Sequence, residues 1–123
     1  MTGMTENATA DQFFETYARA LLDRDAAAIG AQYGVPALIE FPDQRIAVTD
    51  SSQTEGFFNG AFGQYEGVAE AHARVDVVAE TAHSIWADVT WTYDGGAPAE
   101  RNMYELVRVG DAWKIAVLTP LQA

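Results

Sequence analysis

Few residues of this sequence carry side chains that could do chemistry. It has no cysteine, and its two histidines, His72 and His83, do not share the spacing of a metal-binding pair. No Asp-x-Asp-x-Asp-Gly loop is present to bind calcium, and no glycine-rich loop follows a strand to bind a phosphate. We therefore expect neither a metal nor a cofactor. The candidates that remain are phenols, aromatic rings and the segment Arg74-Val75-Asp76.

Alternation of side chains sorts the residues of two predicted strands into an inner and an outer set. From Ala69 to Thr81 the odd positions are mostly apolar and the even positions mostly charged, and Ser84 to Tyr93 has the same period. Matching the apolar faces fixes the register of this hairpin and places Val89 and Trp91 inside. The outer set is too aromatic for a solvent-facing surface and too charged for a core. It predicts a homodimer interface formed by Arg74, Asp76, Trp86, Asp88, Thr90 and Met103.

Two further strands are predicted at Arg101 to Val109 and Ala112 to Thr119, joined at Gly110-Asp111. A two-residue turn at this point fixes their register. Tyr104 then lies on the inner, apolar face. The expected pairs are Arg108 with Trp113, Leu106 with Ile115, and Tyr104 with Val117.

The elements before these strands are predicted to be mainly helical. Residues 1–8 are small and polar and predict a flexible tail, after which Thr9 and Gln12 have the form of a capping box. Apolar residues then recur with the period of one helix face, at Phe14, Tyr17, Ala18 and Leu21.

Three more elements complete the predicted order. Asp25 can cap a short helix from Ala26 to Tyr33. A small hairpin follows at Ala37 to Phe41 and Ile46 to Thr49. Ser52-Gln53-Thr54-Glu55 resembles a second capping box and opens a helix that extends to about Tyr65.

The order of helices, hairpin, helix and long meander predicts an α+β domain over residues 9–123, with about three helices packed on one side of a curved antiparallel sheet. The chain has 123 residues, of which 49% are hydrophobic and 20% charged, enough for one core. A formal charge of -11 disfavours nucleic acid and anionic membrane surfaces as partners. The first residues include neither a basic start nor an apolar run, so a cytoplasmic protein is expected.

Two segments of the chain are similar to motifs of a known family. The first runs from Tyr17 to Asp25 and continues through Ile29, Tyr33 and Ala37-Leu38-Ile39-Glu40-Phe41-Pro42. The second is Gly110-Asp111-Ala112-Trp113-Lys114-Ile115. Together they resemble the nuclear transport factor 2-like superfamily, which has a cystatin-like, cone-shaped α+β fold, and the second is similar to the Gly-x-x-Trp-Lys-Ile pattern of its SnoaL-like branch. The resemblance implies helices that close one end of a bent sheet over an apolar pocket, frequently in a homodimer. The superfamily includes ketosteroid isomerases, scytalone dehydratase, limonene epoxide hydrolases and polyketide cyclases.

The resemblance also implies roles for two tyrosines. Tyr17 stands where ketosteroid isomerases place a tyrosine that donates to the substrate oxyanion, and Tyr104 stands where they place a protonated aspartic acid as second donor. Their alternative role is that of core tyrosines bonded to each other or to the backbone. The isomerase base immediately precedes a proline, and here that position is Phe41. This argues against steroid isomerase activity, because the adjacent Glu40 points to the opposite face of a strand.

Arg74, Asp76 and Asp88 are similar to the Arg/Asp/Asp set with which limonene epoxide hydrolases orient a water. Alternation places all three outside the cone, so epoxide hydrolase-like chemistry is the weaker alternative. Strand histidines in dehydratases resemble His72 and His83, but here a surface position is expected for both.

The sequence thus predicts an apolar pocket that binds a small hydrophobic molecule containing a carbonyl group or a ring. Catalysis by a cofactor-free isomerase, lyase or cyclase would use Tyr17 and Tyr104 as donors, and the sequence offers no convincing base within the pocket. The alternative is a non-catalytic binding or dimeric assembly module. The residues expected to line the pocket are Tyr17, Tyr33, Phe41, Phe58, Phe62, Val89, Trp91, Asn102, Tyr104 and Thr119.

Overall fold

The computed structural model of the chain describes residues 2–95 and 97–121 and has three α-helices on one side of a sheet. The helices are α1 (Thr2–Leu22), α2 (Ala26–Gln32) and α3 (Ser51–Ala61). A short 3₁₀ helix, Phe62–Tyr65, continues directly from α3. The predicted single helix to Tyr65 is therefore an α-helix with a tighter last turn.

Helix α1 buries the face that the sequence predicts. Phe14, Tyr17, Ala18 and Leu21 are all buried, and α1 packs across the strand that runs from Glu70 to Glu80. The helix begins at Thr2, earlier than the capping box predicted at Thr9 and Gln12, and Met1 lies outside the described residues. That residues 1–8 form a flexible tail stays a prediction. Once the docked part of a helix has formed, each added residue gains a hydrogen bond without a new nucleation cost.

The caps of α2 and α3 show what starts each helix. Asp25 caps α2 as predicted, because its side chain accepts from the backbone N–H of Ala28 at 3.0 Å. The predicted capping box at Ser52 is wrong in position: Asp50 is the N-cap of α3 and Gln53 completes the box. Asp50 has extended backbone dihedrals, which a cap requires, whereas Ser52 is already helical.

Six strands form one sheet in the order β2-β1-β6-β5-β4-β3. Most lie within one or two residues of their predicted bounds, but β1 begins four residues earlier, at the end of α2. The strands are β1 (Tyr33–Phe41), β2 (Gln44–Val48), β3 (Glu70–Glu80), β4 (Ser84–Asp94), β5 (Glu100–Val109) and β6 (Ala112–Pro120).

The sheet is mixed, which corrects the prediction of an antiparallel one. Strand β1 pairs with β6 in parallel, with Tyr33 opposite Ile115 and Ile39 opposite Leu118. A parallel pair needs a long connection, and everything between β1 and β6 supplies it. Sequence patterns describe each strand separately, so they could not show that the first and last strands meet.

The hairpin of β5 and β6 follows the predicted register only near its turn. Arg108 opposes Trp113 and Leu106 opposes Ile115, but a bulge next to Leu106 places Tyr104 opposite Leu118 instead of Val117. The extra residue lets β6 turn both Ile115 and Leu118 inward. Tyr104 keeps its inner position and is 1% exposed.

Alternation along β3 and β4 is confirmed. In β4 the inward residues Ile85, Ala87, Val89 and Trp91 are buried, whereas Trp86, Asp88 and Thr90 between them are partly exposed. In β3 the charged even positions are exposed and the apolar odd positions are half-buried through Val77. The inner face of β4 and β5 therefore forms the floor beneath the helices.

Candidate functional site

A cavity of about 100 Å³ lies between the helices and the inner face of the sheet. Eight of its fourteen described lining residues are aromatic. Helix α1 contributes Tyr17 and Leu21, helix α3 contributes Phe57 and Phe58, and the exposed Gln64 marks the side on which the cavity meets the surface. The cavity is therefore an aromatic space closed by packing on most sides.

The structure places six of the ten predicted pocket residues on the cavity wall. These six come from five different elements, and so only the folded chain brings them together. They are Tyr17, Phe41, Phe58, Trp91, Asn102 and Tyr104.

The other four predicted pocket residues lie off the cavity wall. Tyr33 is buried behind Tyr17, and Val89 is packed in the core. Phe62 lies in the 3₁₀ helix and packs at the edge of the core. Thr119 lies opposite Met103 on the outer face, because the β6 bulge shifts which side chains point inward.

The hydroxyl of Tyr104 accepts two hydrogen bonds, and its own proton is not used in either of them. Its hydroxyl oxygen accepts from Trp91 Nε1 at 3.0 Å and from Asn102 Nδ2 at 3.2 Å. A phenol has two acceptor positions and one donor, so both acceptor positions are filled and the O–H is directed away from these partners. Burial raises the pKa of Tyr104 to about 12, so it is a protonated donor at neutral pH. The hydroxyl can donate to an acceptor inside the cavity.

Tyr17 is held differently from Tyr104. Its hydroxyl lies 3.0 Å from the hydroxyl of Tyr33, and both side chains are buried. Burial, together with the neighbouring phenols, raises the pKa of Tyr17 well above its usual value. The ring centroids of Tyr17 and Tyr104 lie 6.3 Å apart, and both side chains line the same cavity. The hydroxyl of Tyr17, unlike that of Tyr104, is bonded to another tyrosine, Tyr33.

Glu100 is a cavity residue that the sequence analysis missed. Its Oε1 accepts from the hydroxyl of Tyr65 at 2.9 Å and from the hydroxyl of Tyr93 at 2.6 Å. Burial is the main cause that raises the pKa of both tyrosines, and the negative charge of Glu100 adds to it. Extending β5 back by one residue would have placed Glu100 on the same face as Asn102 and Tyr104, because strand side chains alternate with period two.

The position before Pro42 holds no acid, as the sequence shows. Phe41 lines the cavity and stacks on Phe57, with ring centroids 5.6 Å apart. Glu40 is directed elsewhere and bonds to Arg45 Nε at 3.1 Å. The carboxylate on the cavity wall is therefore supplied by β5 rather than by β1.

The charged residues of β3 and β4 lie on the outer face. Arg74 and Asp76 are exposed and lie 3.8 Å apart. Asp88 accepts from Arg101 Nε at 3.0 Å, and this guanidinium holds the pKa of Asp88 below its usual value. The structure does not bring these residues into the cavity, so it gives no support to an internal Arg/Asp/Asp set.

Both histidines are exposed, as expected. His72 forms a cluster with Glu70 and Asp94 at one end of the outer face, where their ligand atoms lie within 4.8 Å of one another. Glu70 and Asp94 are cross-strand partners, a proximity that spacing along the chain does not reveal. His72 Nε2 lies 3.3 Å from Asp94 Oδ2, so these groups already bond to each other. Within the described residues, no helix is both long and apolar enough to cross a membrane.

Comparison with known proteins finds one family and many similar structures. A family described as "NTF2-like protein (DUF6841)" matches residues 5–123. No curated protein matches the sequence.

Three solved structures show how far the likeness extends. An NTF-2 like protein of unknown function from Shewanella oneidensis has a TM-score of 0.78 at 11% identity, covering 94% of this chain and 98% of its own. A Novosphingobium aromaticivorans protein, named provisionally as a scytalone dehydratase, has a TM-score of 0.74 at 10% identity, covering 99% and 87%. A domain of unknown function with a cystatin-like fold from Nostoc punctiforme has a TM-score of 0.71 at 12% identity, covering 97% and 78%. At these identities the likeness shows the fold alone.

Proposed function

Since the chain belongs to a family of NTF2-like proteins, we propose that its cavity binds a small hydrophobic molecule that carries a carbonyl group or a ring. The observation that carries this proposal is the hydrogen bonding of Tyr104. Trp91 and Asn102 both donate to its hydroxyl oxygen, so its own O–H can donate to an oxygen of the ligand. The aromatic wall supplies apolar contact on the other sides.

The volume of the cavity limits the size of the ligand. A dry engineered cavity of about 150 Å³ can hold benzene. The cavity here has about 100 Å³, which suits a molecule of a few heavy atoms or one that extends through the mouth beside Gln64. A five-membered cyclic ketone is therefore a suitable probe.

A catalytic form of this proposal is a cofactor-free isomerase, lyase or cyclase. The observation in its favour is Glu100, a carboxylate on the same wall as Tyr104. Glu100 could accept a proton from a carbon next to the ligand carbonyl while Tyr104 donates to the developing oxyanion. Without such proton transfer, the protein is a binding module.

We expect Tyr104→Phe to weaken the binding of cyclopentanone by about three- to tenfold, which is the contribution of one neutral hydrogen bond. Affinity is measured by NMR titration, and the same samples in D₂O report exchange of the α protons. Exchange faster than in buffer favours the catalytic form. Because Trp91 and Asn102 lose their acceptor, the variant should also lose about 1–3 kcal/mol of stability.

Tyr33→Phe is the matched control for this experiment. It removes a buried hydroxyl that bonds to Tyr17 and lies behind the wall, so affinity for cyclopentanone should stay within about twofold of wild type. Equal affinity of wild type and folded Tyr104→Phe would contradict the donor role.

A second proposal concerns the outer face of the sheet, which we propose pairs with a second copy of the chain. Arg74, Asp76, Trp86, Asp88, Thr90 and Met103 share this face, and Trp86 stays partly exposed among charged neighbours. A large ring in that setting is typical of an interface. The cavity lies on the opposite, inner face of the sheet, so this pairing would leave it unchanged. The same dimer would form if the protein is an assembly module that binds no ligand.

Trp86→Glu is expected to shift the protein toward monomer, because the new carboxylate would be buried without a partner at the interface. Light scattering on a size-exclusion column measures the mass at several concentrations. Val109→Glu adds the same charge at an exposed valine near the β5–β6 turn and should leave the mass unchanged. An unchanged mass for Trp86→Glu would count against this interface.

A further inference from the structure

The wall of the cavity combines aromatic rings with one negatively charged side chain, Glu100. Among the described residues that line it, Glu100 alone is charged. The rest of the wall offers π faces, phenol hydroxyls, aliphatic groups and two amides. An anionic ligand would therefore meet repulsion with no basic side chain to offset it.

Glu100 is held in place by the rings around it. Tyr65 and Tyr93 both donate to its Oε1, and their rings pack edge to face with centroids 5.3 Å apart. Tyr93 in turn is parallel to Trp91, with an angle of 2° between the rings. Two O–H groups that donate to one carboxylate oxygen stabilise the anion, because a hydrogen bond to a charged acceptor is stronger than one to a neutral acceptor. Oε2 has no partner among these phenols.

Rings combined with a fixed carboxylate are the surroundings that bind organic cations. The face of a Trp or Tyr ring attracts a cation electrostatically, and a quaternary ammonium group has no N–H that would need a hydrogen-bond acceptor. A hard metal ion would instead require several oxygen ligands, which this wall does not supply. The net charge of -11 also favours the approach of cations to the protein.

We propose that the ligand of this cavity is a small organic cation whose ammonium group lies against the aromatic rings, with Glu100 as its counter-charge. This inference rests on the proposed binding function, adds a positive charge to the ligand, and requires of it only an oxygen that can accept from Tyr104, which a hydroxyl supplies as well as a carbonyl. The oxygen of the same molecule accepts from Tyr104, and the negative charge of Glu100 reaches Tyr104, where it contributes to raising the pKa of that phenol. A trimethylammonium group is compatible with a cavity of about 100 Å³.

Choline and its uncharged carbon isostere, 3,3-dimethylbutan-1-ol, test this directly. They have nearly the same shape and the same hydroxyl, so the difference in their affinities isolates the charge. Calorimetric titration of the wild-type protein should show choline binding at least about tenfold more tightly, as expected for a charge paired inside a protein.

Glu100→Gln is expected to abolish that preference. The amide keeps the shape and an oxygen that Tyr65 and Tyr93 can donate to, so affinity for dimethylbutanol should change less than about twofold. Glu105→Gln is the matched control, because Glu105 lies on the same strand but bonds to Ser84 away from the cavity. It should retain the full preference for choline, and both variants should keep the wild-type circular dichroism spectrum.

The outcomes separate this inference from the proposed function. If dimethylbutanol binds as tightly as choline, the ligand is neutral and the cation is ruled out, while the binding function stands. If a preference for choline persists in folded Glu100→Gln, Glu100 is not the counter-charge and the inference fails. If choline, dimethylbutanol and cyclopentanone all fail to bind, the binding function fails with it.

Discussion

Raising the pH above 10 should unfold this protein over a narrow range, with the tyrosines ionising as the fold is lost. The chain has five tyrosines. Burial raises the pKa of Tyr104 to about 12, and burial is also the largest cause of the raised pKa values of the other four. All five line or adjoin the same cavity.

The direction of the effect follows from these shifts. In the unfolded chain a tyrosine loses its proton near pH 10, whereas in the native protein each one keeps it to a higher pH. Above pH 10 the native state therefore holds more protons, and its stability falls as the pH rises. The contribution is fully present below pH 10 and is lost toward the native pKa, which is about 12 for Tyr104.

The expected loss is large compared with ordinary stability. Each tyrosine that ionises only in the unfolded state removes about 1.4 kcal/mol per pH unit. The four buried ones, Tyr17, Tyr33, Tyr65 and Tyr104, together remove about 5 kcal/mol per unit. Since small domains have about 5–15 kcal/mol in total, about one to three units above pH 10 should be enough.

Absorbance at 295 nm reports phenolate, and near-ultraviolet circular dichroism reports the packing of the rings. We expect the two signals to change together in one cooperative step. Tyr33→Phe should make the loss of stability with pH shallower by about 1.4 kcal/mol per unit, because one titrating group is removed. Ionisation of these tyrosines below pH 11 in a protein that keeps its native dichroism would contradict the prediction.

Gly95→Ala should destabilise the protein by more than about 2 kcal/mol, since it combines backbone strain with a backbone clash. Gly95 has a φ of +120°, which residues with a side chain rarely adopt. A methyl group there would overlap the carbonyl oxygen of Gly67 and lie 2.9 Å from the Cα of Val68. Neither neighbour is a flexible side chain that could move aside.

The close approach of Gly67 and Gly95 also positions part of the cavity wall. Tyr65 precedes the first glycine by two residues and Tyr93 precedes the second by two, and both donate to Glu100. The adjacent bond from Ala69 N to Asp94 O, at 2.8 Å, ties the same two segments together. A substitution that separates these two segments should weaken the hydrogen bonds from Tyr65 and Tyr93 to Glu100, in addition to destabilising the fold.

Urea denaturation of wild type and variant measures the loss in free energy of unfolding. Gly110→Ala is the matched control, because Gly110 has a φ of +64° but open space around the position of a Cβ. It should cost about 1 kcal/mol from backbone strain alone. If the two substitutions cost the same, the contact with Gly67 contributes nothing to stability.

The buried faces of the main elements could be predicted from the amino-acid pattern. The stripe from Phe14 to Leu21 and the alternation through Val89 and Trp91 are periodic, and one-sided burial requires that periodicity. The same rule placed Tyr104 inside and Arg74 outside. It would have placed Glu100 inside too, had β5 been extended by one residue.

The contacts that those inward residues make depend on how the elements pack together. The bulge beside Leu106 moved Thr119 off the inner face, and the parallel pairing of β1 with β6 joined elements from opposite parts of the chain. Tyr65 meets Glu100 across 35 residues, and Trp91 meets Tyr104 across 13. A local pattern in the sequence predicts which side of a helix or strand is buried, because buried residues recur with the period of that element, about 3.6 residues in a helix and two in a strand. A hydrogen bond between distant residues has no period, so it exists only once the chain has folded.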